Sequence, residues 1–221
     1  MQRKVIAELL DEDLGTPSEI AASLADLRHI NNWFGGMLTT IVLLRKVARA
    51  SECNRLSLLE VGAGSGAVPQ AAQKTLLREG IELQVTLLDR VSSHLPAHGG
   101  ALLAGDASHL PFLDNAFDVV SSSLLAHHFE PEALRLFVSE SLRVCRRAVL
   151  INDLIRSPVH LALVYLGLPL FRSRLTRHDA PASVRQAYTV DEMQNLLSQL
   201  RARRVDITRH YLYRIGVLVW K

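Results

Sequence analysis

Between residues 55 and 153 the chain alternates short apolar runs with segments of helical period, and few folds accommodate that rhythm. The runs are "RLSLLEV", "LQVTLLD", "GALLAGD", "AFDVVSSSLL" and "RAVLIND". Helical spacing falls at 66–78, where Val68, Ala71, Ala72, Thr75 and Leu76 share a face. It recurs at 131–145, with Leu134, Phe137, Val138, Leu142 and Cys145. Strands that are apolar almost throughout need cover on both sides, so the pattern predicts a parallel sheet between two helical layers. Two further runs, "RRVDITRHYL" and "RIGVLVW", are separated by only a short turn. Such a turn joins antiparallel neighbours only. The expected fold is a doubly wound, Rossmann-like sheet of seven strands, mostly parallel, with an antiparallel C-terminal pair.

Residues 1–50 contain no good strand and read as a helical cap on a main domain at 51–221. Thr16, Pro17 and Glu19 spell a helix start with a capping box, followed by Ile20, Leu24, Leu27 and Ile30 at helical spacing. A second helix is expected from about 37 to 50, after the Gly35-Gly36 break. Trp33 is expected to pack in this cap. An insertion at about 155–188 starts with an apolar helix near 158–171 and continues as a polar loop. A second capping box, Thr189 with Glu192, opens the next helix.

Composition narrows the function classes. The 221 residues are 48% hydrophobic, enough for one well-buried domain. A net charge of +3, from 25 basic and 22 acidic residues mostly interspersed, gives no reason to expect nucleic acid. Cys53 and Cys145 form no Cys-x-x-Cys pair, so structural zinc is not expected and a reduced, cytoplasmic setting is. The acids in "MQRKVIAELLDED" come too early for a signal peptide. Gly167 and Pro169 interrupt the longest apolar stretch before it reaches membrane-spanning length, so no stable membrane insertion is expected. That stretch also offers a homodimer face.

Ligands of doubly wound sheets sit beyond the carboxyl ends of the strands. In this chain those ends carry Glu60 to Gly66, Asp89-Arg90, Gly105-Asp106-Ala107, Ser121 to His128 and Asn152-Asp153. Gly62, Gly64 and Ala67 fit a G-x-G-x-x-G/A dinucleotide turn, and Gly62, Gly64 and Gly66 fit a G-x-G-x-G turn equally well. Asp89, 23 residues after Gly66, suits the two ribose hydroxyls of either a nicotinamide or a sulfonium cofactor. Asp106 leads into Leu110, Pro111 and Phe112, suited to an adenine amino group beside an apolar wall. Glu60 would repel a pyrophosphate but attract an ammonium and a sulfonium.

In this order, "LLEVGAGSG", "LLD", "GDASHLPF", "FDVVSSSLLAHHF" and "RAVLINDL" resemble the class I S-adenosylmethionine-dependent methyltransferases over about 56–155. The segments "SLLAHHF" and "SVRQAYTVDEM" look most like the small-molecule branch of ubiquinone/menaquinone-type C-methyltransferases and related O-methyltransferases. The resemblance implies S-adenosylmethionine as cofactor. It places Glu60, Gly62, Ala63, Gly64 and Gly66 at the methionine end, Asp89 and Arg90 at the ribose, Asp106 and Ala107 at the adenine, and Ser122 nearby. It implies a small-molecule acceptor, apolar or aromatic, methylated on oxygen or carbon. The Asn/Asp-Pro-Pro-Tyr turn of nitrogen methylation on bases and amides is missing from "SSSLLAHHF". An NAD-dependent oxidoreductase and a non-catalytic cofactor-binding protein remain the alternatives.

Methyl transfer to a hydroxyl or carbon acid needs a base, and histidine suits it. His127 and His128 stand at the end of the fourth strand, and His178 beside Asp179 lies in the insertion. His94, His98 and His109 make no metal set, because Pro96 interrupts any helix there, and no metal is expected. Asn152 and Asp153 are placed to orient a substrate group or cap a helix.

Overall fold

The computed structural model describes residues 1–96 and 101–221. The strands are β1 (Arg55–Val61), β2 (Glu82–Asp89), β3 (Ala101–Ala104), β4 (Phe117–Ser123), β5 (Cys145–Leu154), β6 (Arg204–His210) and β7 (Arg214–Trp220). They form one sheet in the order β3-β2-β1-β4-β5-β7-β6. The first five run parallel, and β7 inserts antiparallel between β5 and β6. The chain thus reverses direction across the sheet at β1/β4, the switch point where a crevice opens above the strand ends.

Alternation along the strands separates two cores. Leu59, Val61, Val120, Val149, Ile151, Val217 and Val219 pack on one face against α4 (Pro131–Val144) and α7 (Val190–Leu197). Leu56, Leu58, Val119, Ala148, Leu150 and Leu218 pack on the other against α2 (Gly36–Ala50) and α3 (Ala67–Arg78). Both sides of each central strand are therefore covered, which is why these runs are apolar without a polar face.

Both capping boxes form. In α1 (Pro17–Trp33) the Thr16 hydroxyl accepts from the Glu19 amide and the Glu19 carboxylate accepts from the Thr16 amide; Thr189 and Glu192 do the same for α7. Two expectations fail. Trp33 is 69% exposed rather than packed. The segment taken as a polar loop is α6 (Arg174–Gln186), which carries Pro181 inside it. Asp26 accepts from the amides of Arg172 and Ser173 at 2.9 Å each, Ser23 bonds Thr176, and Ser173 caps the helix at the Leu175 amide. Tertiary hydrogen bonds therefore hold a helix that its own hydropathy does not call for.

The apolar insertion helix is shorter than expected, α5 (Pro158–Gly167), continued by a 3-10 turn at Leu168–Leu170. It is not buried all round: Val159, Leu166 and Leu170 stand in solvent. Among the described residues no helix is long and apolar enough to cross a membrane.

Candidate active site

The turn after β1 is built on left-handed backbone: Gly62, Gly64 and Gly66 have φ of +67°, +50° and +67°. Only glycine adopts this without strain, and two of the three are also sterically closed. A Cβ on Gly66 would lie 2.6 Å from a Leu87 methyl, and one on Gly62 would lie 3.0 Å from Leu125. Gly66→Ala is therefore expected to destabilise the fold by about 2–5 kcal/mol, the sum of a left-handed alanine and an overpacked core contact. Chemical denaturation measures it; an unchanged midpoint would contradict the packing.

Gly64 differs from its neighbours. A Cβ there would meet nothing nearer than Leu24 at 3.8 Å, so its bare backbone fronts open space. Its amide donates to Asp89 Oδ2 at 2.7 Å, while Asp89 Oδ1 accepts from the Val91 amide at 3.0 Å. Asp89 is thereby fixed at the end of β2, facing the same space.

That space is a cavity of about 1000 Å³. Its floor is the glycine turn with Glu60, Asp89, Arg90, Asp106 and Ala107. Leu24, Leu27 and Ile30 of α1 form one wall, and Leu163, Val164 and Phe171 of the insertion form another. The volume suits a nucleoside donor together with a second small molecule.

Several expected residues sit elsewhere. Ser122 lies on the opposite face of β4 from Ser121, and Ser123 lines the cavity in its place. Gly66 shapes the turn without lining the cavity. Leu110 is core, and Phe112 packs edge-on against Phe117, so the apolar wall beside Asp106 is not formed by them. Asp106 is exposed and accepts from the Ser108 amide and hydroxyl, which hold its carboxyl below the usual range. His94 stands 3.7 Å from Asp13, His109 bonds Ser108, and His98 lies outside the described residues.

Glu60 is fully buried beneath the turn and accepts from the Ser121 hydroxyl. Burial pushes its carboxyl up to about 7, against the Ser121 and Ser123 hydroxyls, which pull it down. No cation of the protein pairs with it among the described residues.

The end of β4 turns at Leu124, whose φ of +58° is unusual for a leucine, into a 3-10 turn at Ala126–His128. The turn presents both histidines. His127 is buried, with Nδ1 2.6 Å from Asp153 Oδ1, and its amide donates to Asp153 Oδ2 at 3.0 Å. Asp153 is thus the residue that orients His127. Burial works against protonation of His127, but the carboxylates of Asp153 and Glu8 outweigh it and drive its pKa up. His128 Nδ1 lies 2.7 Å from Asp11.

Asn152 serves the scaffold. Its amide donates to the Gly36 carbonyl and the Thr40 hydroxyl, seating the start of α2. His178 is 44% exposed and does not line the cavity, although its partner Asp179 does.

The N-terminal segment supplies what the sequence reading missed. Glu8 and Asp11 reach both histidines from the far side of the cavity. Ser183 and Gln186 donate to Glu8, and Asp179 accepts from the Leu9 and Leu10 amides. Arg3 anchors the start of this segment through the carbonyls of Gln186, His127 and Phe129 and lies over the Tyr188 ring. Residues 5–12 thereby close the cavity over the histidines. No periodicity marks such a segment, and its acids follow no spacing motif.

Residues 59–151 match a family model described as a methyltransferase domain. No curated protein matches the chain. Among solved structures, the plantazolicin methyltransferase BpumL, in complex with a pentazolic desmethylPZN analog and SAH, superposes with a TM-score of 0.71 at 14% identity, covering 97% of this chain and 95% of that one. An S-adenosyl-L-methionine-dependent methyltransferase, so described provisionally, from Methanococcus maripaludis gives 0.57 at 12%, covering 90% and 91%. A SAM-dependent methyltransferase from Aquifex aeolicus gives 0.52 at 17%, covering 75% and 81%. At these identities the superpositions speak for the fold.

Residues 59–151 thus carry a methyltransferase domain, and the fold is that of the class I S-adenosylmethionine-dependent methyltransferases. BpumL, with the same fold, holds SAH, the product form of S-adenosylmethionine. The residues fit that molecule: open glycine backbone at Gly64, a fixed carboxylate at Asp89, and a buried acid without a cation at Glu60. A cationic ligand favours ionised Glu60, so binding should release its proton. Affinity for S-adenosylhomocysteine, which keeps the ammonium, is expected to climb from pH 5.5 to about 7 and then level, by at most about tenfold per pH unit. Calorimetry across that range checks it, and Glu60→Gln should flatten the climb.

Proposed function

We propose that the protein methylates a small, largely apolar or aromatic acceptor on oxygen or carbon, and that the acceptor's proton leaves at the His127 cluster. One observation carries this reading. Glu8, Asp11, His127 and His128 line the cavity together beside the glycine turn, Asp153 stands behind His127, and the walls opposite are apolar. Glu60, Gly62, Ala63 and Gly64 hold the methionine end of the donor, Asp89 and Arg90 its ribose, and Asp106 with Ala107 the adenine.

Bound S-adenosylmethionine supplies an already activated methyl group. The protein must align the acceptor at roughly 3–3.5 Å from it, exclude water, and deal with the acceptor's proton. Leu163, Val164, Phe171 and the segment over residues 5–12 perform the exclusion. Asp153 accepts from Nδ1 of His127, which leaves Nε2 as the atom turned toward Glu8. The neutral ring carries a lone pair at Nε2, but Asp153 and Glu8 favour the protonated form, so turnover through His127 as base should rise with pH toward its raised pKa. His178, on the outer side of α6, has no part in this arrangement.

The volume of the cavity leaves room for an acceptor beside the donor, and the BpumL complex with a pentazolic analog lends support through a shared fold that covers nearly the whole chain. Titration with S-adenosylhomocysteine and with NAD, followed by turnover on a panel of phenols and heteroaromatic alcohols, tests the reading. Binding of NAD alone would overturn it.

A further inference from the structure

The histidine pair has a geometry that proton transfer does not require. One ligand atom each from Glu8, His127 and His128 lies within 4.8 Å of the others. His127 Nε2 is 3.5 Å from Glu8 Oε1, and His128 Nε2 is 3.9 Å from Glu8 Oε2. Nε2 of His127 is buried and makes no hydrogen bond. These separations are long for hydrogen bonds. They are close to the distance of about 3.4 Å between neighbouring ligands on a four-coordinate ion with bonds of about 2.1 Å.

The outer partners complete the pattern. Each histidine has its other ring nitrogen on a carboxylate: Nδ1 of His127 on Asp153 at 2.6 Å and Nδ1 of His128 on Asp11 at 2.7 Å. Carboxylates in this position fix the tautomer and leave each Nε2 as the ligand atom. Glu8 is itself held by Ser183 and Gln186 through Oε1, which leaves Oε2 less engaged. Three carboxylates surround two imidazoles, and a dication held by the neutral rings offsets the same two negative charges that two imidazolium protons would, while giving the unpartnered Nε2 of His127 a partner.

We propose that Glu8, His127 and His128 bind one divalent first-row transition ion, with zinc as the reference case, and that its open coordination position faces the cavity. This departs from the expectation of no metal, which weighed His94, His98 and His109; Glu8 lies too far along the chain from His127 for any spacing motif to show it. The inference rests on the acceptor reacting at this cluster. A hydroxyl acceptor binds the ion through oxygen and gives up its proton to water. Its oxygen pair then forms the bond to the donor methyl as the carbon–sulfur bond breaks, and those electrons stay on sulfur as the neutral thioether. The Nε2 atoms act as ligands in that case, and the ion lowers the acceptor's pKa in place of a free base.

The test uses the full chain stripped with a chelator and titrated calorimetrically with zinc, manganese and magnesium chlorides. One zinc per chain is expected, with weaker manganese and no measurable magnesium binding, as imidazole donors dictate. Glu8→Gln and His128→Asn should abolish it. Asp11→Asn, which removes only an outer partner, should weaken it roughly 10–100-fold. Cobalt substitution gives visible absorption that reports the same site without any turnover. No ion bound, or zinc bound equally by the Glu8→Gln and His128→Asn variants, overturns the proposal. S-adenosylhomocysteine titrated in parallel separates the two ideas: if it binds and the chelated protein turns over fully, the ion fails while the methyltransfer reading stands.

Discussion

His127→Asn is expected to lower turnover roughly 10²–10⁴-fold, the usual span for loss of a positioned acid–base group, with S-adenosylhomocysteine affinity unchanged. Asparagine keeps the backbone donation to Asp153 but removes Nε2, the atom that faces Glu8. Both roles argued for that atom, proton acceptor and ion ligand, are lost together. Asp153→Asn should cost less, because the imidazole stays while its tautomer is no longer held. The buried site makes folding a separate question, since Asp153 loses a partner worth about 1–3 kcal/mol. Cofactor titration of the same preparation answers it: intact binding with lost turnover places the chemistry at His127. Turnover within a fewfold of the original would move the reacting centre away from the end of β4.

The fold was legible where burial is two-sided. β1 and β7 fall on the residues their apolar runs predicted, because a strand sandwiched between two cores is apolar over most of both faces. Capping boxes were legible for a local reason, since Thr16 and Glu19 satisfy each other's amides within four residues. The helix α6 was not. Its stability comes from Asp26, Ser23 and the amides of Leu9 and Leu10, all distant in sequence, and Pro181 argues against a helix when read locally.

The candidate site divides the same way. The glycine turn, Glu60 and Asp89 follow from strand ends and spacing, because the sheet itself aims those residues. Asp153 was visible as a strand-end acid, but its role as the support of His127 depends on the register of β4 against β5. Ser122 was placed one residue off because the face of a strand alternates, and a slip of one residue exchanges cavity for core. Glu8 and Asp11 had no signal in spacing at all. They reach the histidines only because Arg3, Asp179 and Gln186 pin the N-terminal segment across the cavity.

Asp89→Ala should weaken S-adenosylhomocysteine binding about 100-fold. The carboxylate is already spent in part on the Gly64 and Val91 amides at 2.7 and 3.0 Å, so it is rigid before any ligand arrives. On the proposed ribose assignment alanine removes two charge-assisted bonds to the ribose hydroxyls and also releases the glycine turn, and roughly 3 kcal/mol corresponds to that factor. Asp89→Asn should fall between, keeping one acceptor oxygen. Stability should drop modestly in both, so the decisive readout is the rise in melting temperature that ligand produces rather than the melting temperature itself. Unchanged affinity in the alanine variant would refute the ribose assignment. Because a nicotinamide cofactor would use the same carboxylate, the companion variant is Glu60→Gln. It should weaken a ligand that carries an ammonium and leave a ligand without one alone.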